Sequence, residues 1–176
     1  RAAGIGIVHQ WGDLVRSMSV VENIFLGNEI RGPLGLLDKS EMRRRARAVL
    51  HELGVDLDTR ALVSALSPAH RQIVAISKAL VLKCDLLIVD EGGVSLDKKE
   101  TTLLHEVLRR LREQKVTIIY ISHLLDDVVA LSDEITVLRN GALVETFDAR
   151  KTTARDLASA VVGHELRTAQ AAVEAN

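Results

Sequence analysis

Aromatic side chains are nearly missing from this chain: Trp11, Phe25, Tyr120 and Phe147 are all that its 176 residues contain. Base-stacking platforms and ring-lined sugar cradles both need more rings than that. Cysteine occurs once, at Cys84, which excludes an internal disulfide framework and fits a reducing compartment. Neither sign of charge dominates. Lys+Arg number 23 and Asp+Glu 24, for a formal net charge of -1, so no overall basic field draws in nucleic acid or anionic lipid. No apolar run approaches the roughly 18–20 residues that would span a bilayer. The first residue is Arg1, and no charged-then-apolar leader follows it. The expectation is a soluble cytoplasmic piece cut from something longer.

What is present is the balance of an ordinary globular protein, with 47% apolar and 27% charged residues and length for one domain with a real core. Gly4 to His9 reads as a short buried strand, and Val20 to Leu26 has helical spacing before a glycine-rich loop to Leu37. Ser40 to Leu53 is an amphipathic helix with Met42, Ala46, Val49, Leu50 and Leu53 in one stripe and Gly54 as its C-terminal cap. The Arg43-Arg44-Arg45 run and Arg47 fall mostly off that stripe and read as a solvated face. Ser67-Pro68 opens another helix, serine as N-cap and proline at the first helical position.

Leu86 to Val89 and Val116 to Ile121 are continuous apolar runs, which suit strands buried on both faces. Lys98 to Gln114 is helical between them, with Leu103, Leu104, Val107, Leu108 and Leu111 inward. Leu125–Leu131 is a short helix. Asn140-Gly141 marks a hairpin between Glu134–Leu138 and Ala142–Phe147, and Thr152 or Thr153 caps a last helix through Val162. Alternating strands and helices predict an α/β fold with a largely parallel sheet and a helical insertion over about 38–82.

Chemistry concentrates where Leu86-Leu87-Ile88-Val89 ends in Asp90-Glu91. Ligands of open α/β sheets bind beyond the carboxyl ends of the strands. One acid there can hold Mg²⁺ through its water shell, and the next can orient or deprotonate a water attacking phosphorus. The plain alternative is two acids solvated at a strand end. Ser122-His123 ends the next buried strand and would reach the same edge, where imidazole can bond a terminal phosphate or hold the attacking water. The remaining histidines show no metal-ligand spacing.

Taken in order, these segments resemble the ATP-binding cassette of ABC transporters, from about Gly4 to Leu166. The resemblance implies a P-loop NTPase-like α/β fold with a helical signature subdomain, N-terminally truncated, over residues 1–166, and a linker or tail over 167–176. It places Gln10 as the Q-loop glutamine, touching metal and water and sensing the membrane subunit. Leu66-Ser67-Pro68-Ala69-His70-Arg71-Gln72 occupies the signature segment. Asp90 matches the Walker B aspartate, Glu91 the catalytic glutamate, Asp97 the D-loop aspartate and His123 the switch histidine. Two cassettes sandwich ATP in this family, so Ser67 and its helix N-terminus would face the phosphate held by the other cassette.

Val21-Glu22-Asn23-Ile24-Phe25-Leu26-Gly27, Tyr120-Ile121-Ser122-His123 and Val162-Gly163-His164-Glu165-Leu166 are similar to carbohydrate importers with two fused cassettes. His123 points to the first of the two. The resemblance therefore implies ATP and Mg²⁺ as cofactors, and hydrolysis coupled to sugar import at the inner face of the cell membrane. It implies transmembrane permease subunits and a second cassette as partners, a sugar-binding protein indirectly, and no nucleic acid.

Three departures qualify it. None of the eleven glycines is followed by lysine, so the Walker A loop that cradles phosphates is absent and a missing N-terminal portion is expected. The chain alone is then expected to be inactive, with sheet edges unpaired and apolar faces uncovered. Pro68-Ala69-His70 replaces the small, glycine-containing signature run, and Gly92-Gly93 stands where the family has Pro-Thr. These changes open a second reading, a non-hydrolysing remnant or docking module. A third is a soluble ABC-type ATPase acting on nucleic acid or ribosomes.

Overall fold

The computed structural model describes residues 4–9, 14–90 and 96–162. Its apolar runs become β1 (Ile5–Val8), β2 (Leu86–Asp90) and β3 (Thr117–Ile121), a parallel sheet in the order β1-β2-β3. Register sets Ile7 beside Ile88 and Ile88 beside Ile119, and it ends with Asp90 beside Ile121. Parallel strands need long crossovers. The first holds α1 (Val20–Phe25), α2 (Lys39–Glu52) and α3 (Pro68–Val81), and the second is α4 (Lys98–Glu113). The fold is thus α/β with a parallel sheet, as the alternation of segments predicts.

α3 packs against α1, α2, α4 and β1, and α4 also meets β3. This explains why Ile73, Val74, Ile76 and Ser77 are all fully buried, more than a single amphipathic stripe would allow. Leu104, Val107, Leu108 and Leu111 form the inner face of α4 as expected. Leu103, expected to join them, is only half-buried, while His105 is buried.

The strands are not buried on both faces. Leu87 and Val89 are fully covered, but Ile5, Ile7, Ile119 and Ile121 on the opposite face are 46–51% exposed. Successive crossovers of one hand, stepping the same way across a sheet, fall on the same side. Among the described residues nothing covers the other side to the same degree.

The segment from Ser122 onward clusters as a separate unit and is described by itself. It comprises α5 (Leu125–Leu131), an antiparallel hairpin of β4 (Glu134–Arg139) and β5 (Ala142–Asp148), and α6 (Ala154–Val162). Asn140 and Gly141 both have positive φ, 51° and 77°, the backbone that a two-residue turn requires for strands of native twist. Val128, Ile135, Val137, Ala149 and Leu157 form its core.

Helix ends follow local chemistry. α2 starts one residue earlier than its periodicity predicts because Asp38, not a residue nearer Ser40, caps it, accepting from Glu41 N at 2.9 Å. Glu41 in turn accepts from Arg44 and Arg45, each at 2.7 Å. Hydrogen bonds from Arg44, then from Arg45, lower the Glu41 pKa to about 2.

Two outcomes follow. Gly6 faces α3 so closely that an added Cβ would lie 2.9 Å from Ala79 Cβ and 3.1 Å from Cys84 Sγ. Gly6→Ala should cost about 1–3 kcal/mol, read as a lower urea midpoint at unchanged m-value. Glu41 has a depressed folded-state pKa, so its contribution is present above the ordinary value of 4.5 and fades as pH falls toward about 2. In that window the wild type should lose helical circular dichroism that Glu41→Gln, lacking the group already, does not lose.

Candidate functional site

All three parallel strands end at one edge of the sheet. β1 ends at Val8, two residues before Gln10, and β2 ends at Asp90, one residue before Glu91. Gln10 and Glu91 lie outside the described residues. β3 ends at Ile121, and Ser122-His123 follow as the first residues of the second unit. Asp90 is exposed, and its carboxylate has no hydrogen-bond or ion-pair partner among the described residues. Of the two adjacent acids, Asp90 is therefore the one placed at the strand end, with its carboxylate available to a ligand.

Ser67 and Asp97 sit at two helix N-termini. Ser67 caps α3, its Oγ 3.0 Å from His70 Nδ1 and 3.5 Å from His70 N. Asp97 caps α4 in a reciprocal box: Asp97 Oδ1 accepts from Glu100 N at 2.8 Å, and Glu100 Oε2 accepts from Asp97 N at 3.3 Å. The remaining Glu100 oxygen accepts from Ala69 N at 3.5 Å. One carboxylate therefore joins both helix starts. At the N-terminus of α3, Pro68 has no N–H, Ala69 N–H leans toward Glu100 and His70 N–H toward Ser67 Oγ. That end favours negative charge, and the chain's own groups already answer part of the demand. Sequence reasoning did not single out Glu100, although Asp97-x-x-Glu100 is a capping-box spacing.

A second residue it passed over as a site is Asn23, fully buried in α1. Its Oδ1 accepts from Val15 N at 2.7 Å, and its Nδ2 donates to the carbonyls of Val15, Met18 and Ser19 at 3.0, 3.3 and 3.0 Å. The same segment is laced to the loop before Ser67: Ser64 N donates to Arg16 O, Val63 N to Met18 O and Val20 N to Ala61 O. The stretch entered shortly after Gln10 and the stretch leading to Ser67 are thereby one hydrogen-bonded body. A buried asparagine amid apolar helix residues was the available signal.

The residues present can be tested against the Mg²⁺ and nucleotide that such a fold implies. Among the described residues, no group of three or more His, Cys, Asp or Glu could hold a metal ion. Mg²⁺ commonly takes one or two carboxylates, with waters and phosphate oxygens completing its shell. A single free carboxylate at a strand end, Asp90, fits that use. The lysine and glycine cradle for the phosphates is not among these residues.

Against known proteins, the model of the ABC transporter family matches residues 1–94, and the chain belongs to that family. It is 38% identical over 164 residues to the ribose import ATP-binding protein RbsA of Caldanaerobacter subterraneus, covering 93% of this chain and 33% of that protein. It is 41% identical over 165 residues to the galactofuranose transporter ATP-binding protein YtfR of Escherichia coli K12, covering 94% and 33%. The chain thus spans about a third of the length of these relatives. Among solved structures, cbiO1 of Clostridium perfringens, part of the ABC transporter complex cbiONQ, superposes with a TM-score of 0.67. That match is 26% identical and covers 98% of this chain and 68% of the other. A nucleotide-free ATP-binding cassette from an ABC transporter gives the same TM-score, 0.67, covering 82% and 61%.

Asn23→Ala should cost about 1–3 kcal/mol, because it leaves Val15 N–H without its partner and removes the amide donor shared by the carbonyls of Val15, Met18 and Ser19. Hydrogen exchange at Val15 N–H should accelerate beyond the change set by global stability. Asp97→Ala should cost about 1 kcal/mol as a lost cap, whereas Asp97→Asn, an equally good cap, should leave the urea midpoint nearly unchanged.

Proposed function

We propose that this chain is part of the ATP-hydrolysing subunit of an ABC sugar importer, working at the cytoplasmic face of a membrane. The observation that supports it is that β1, β2 and β3 end at one edge of the sheet, with Asp90 at the end of β2; in the sequence, Gln10, Glu91 and Ser122-His123 follow these strand ends. The sugar assignment draws support from relatives named for ribose and galactofuranose import.

Each residue then has a task suited to its chemistry. Asp90 would hold Mg²⁺ through the ion's water shell, and Gln10 would touch metal and water while sensing the permease. Glu91 orients the attacking water and takes its proton. His123 hydrogen-bonds the terminal phosphate. Ser67, with the N-terminus of α3, would face the phosphate held by a second cassette, and Asp97, as the D-loop aspartate, would contribute to nucleotide binding. Bound ATP supplies the phosphoanhydride whose cleavage drives transport, and its phosphate cradle has to come from residues other than these. Transmembrane permease subunits and a second cassette are the direct partners, with a sugar-binding protein acting through them.

One observation favours a second reading, a non-hydrolysing cassette that docks without turnover. Ser67 Oγ lies against His70 and Ala69 N–H against Glu100, so an incoming phosphate has to displace the chain's own groups.

A chimera decides between them. This chain replaces the matching third of a ribose import ATP-binding protein, and ATPase activity and ribose uptake are measured with that relative's permease. The first reading expects hydrolysis and uptake, with Glu91→Gln lowering turnover by about 10²–10⁴. Uptake lost while the chimera still assembles with the permease supports the docking reading. Equal turnover in the chimera and its Glu91→Gln form removes Glu91 from catalysis.

A further inference from the structure

α2 carries different chemistries on its two sides. Met42, Ala46 and Leu50 are buried, while Ser40, Arg43, Arg44 and Arg47 share one outer face at spacings i, i+3, i+4 and i+7. Arg60 enters from the turn in which Ala61 N donates to Asp58 O at 3.0 Å. These five residues line a groove of about 620 Å³. Its lining therefore carries four guanidinium groups and no acid.

That arrangement has an energetic cost. Like charges at i,i+3 and i,i+4 on one helix face repel. Glu41 answers only Arg44 and Arg45, and Arg60 has one long contact to Asp58, 3.7 Å. Arg43 and Arg47 have no hydrogen-bond or ion-pair partner among the described residues, and Arg43 is half-buried. A merely solvated helix face gains nothing from a fourth guanidinium brought in by a separate turn.

Arg47 also borders a second depression of about 660 Å³, lined by Leu50, Val55, Leu57 and Thr59, by the bases His51 and Arg110, and by the acids Asp56 and Asp58. Thr59 is 1% exposed, and its Oγ1 has no hydrogen-bond partner. We propose that these adjoining depressions dock an acidic segment of a partner protein, whose Asp or Glu carboxylates pair with Arg43, Arg47 and Arg60. Guanidinium groups bind carboxylates bidentately. The second depression mixes Leu50, Val55 and Leu57 with charges of both signs, which suits a polypeptide that changes character along its length. A polyphosphate backbone would meet Asp56 and Asp58, and a bilayer presents a flat surface to a groove. The inference stands apart from the nucleotide site.

The test uses the full chain and a fluorescein-labelled peptide, Glu-Glu-Asp-Glu-Leu-Val, followed by anisotropy. A control peptide replaces each acid by its amide. The acidic peptide is expected to bind at least tenfold more tightly than the control. Arg47→Gln with Arg60→Gln should weaken it at least fivefold, while Arg45→Gln, whose side chain lies outside the groove, should change it less than twofold. Should the double variant lose helical circular dichroism, Arg60→Gln alone, outside any helix, should still weaken binding at least twofold. Equal affinity for both peptides, or an equal loss in Arg45→Gln, overturns the proposal. So does capture by phosphatidylglycerol vesicles or a short RNA when the acidic peptide is not bound.

Discussion

Burial of α3 is the constraint on which the first unit depends. Four elements pack on it, and with Ile73, Val74, Ile76 and Ser77 all removed from water it has almost no solvent side along its middle. Even its buried hydroxyl is answered inside the helix, Ser77 Oγ donating to Ile73 O at 2.8 Å. Because β1 lies directly against α3, the strand carries Gly6 where a larger residue would collide. The same helix is capped by Ser67, so the packing that stabilises the sheet also fixes where that helix terminus lies. Stability and site geometry share one element.

Polar groups inside this body act as fasteners rather than as chemistry. Asn23 ties the segment after Gln10 to α1, and backbone bonds tie it to the loop before Ser67. Glu100 ties the start of α4 to the start of α3. Each is a polar group whose desolvation is repaid only with its partners in place. The candidate residues themselves differ in kind: Asp90 has an unpartnered carboxylate, whereas Ser67 and Asp97 already serve as helix caps. Asp90 is therefore free to serve a ligand, whereas a ligand at Ser67 or Asp97 competes with a structural duty.

The open face of the sheet and the groove beside α2 are different surfaces. The face is apolar, with Ile5, Ile7, Ile119 and Ile121 half-exposed, and hydrophobic burial is non-directional, so any suitable apolar surface could cover it. The groove is polar and directional, because guanidinium groups demand planar acceptors. Chemistry that specific narrows a partner in a way that an apolar face does not.

Local pattern was enough for much of this protein. Period-3.6 stripes marked α2 and α4, β-branched runs marked β2 and β3, Asn140-Gly141 marked the hairpin, and Ser67-Pro68 marked the start of α3. Those features depend on neighbours a few residues away, where backbone sterics and capping act. The ordered series from Gln10 to His123 also identified the family, because motif spacing is a property of the chain. Only the tertiary structure decided which sheet face is covered, that Leu103 yields its place to His105, that Glu100 joins two helix starts and that Arg60 completes a groove with α2. Each of these joins groups distant in sequence, or weighs one side of an element against another, and periodicity carries no information about which distant surface arrives.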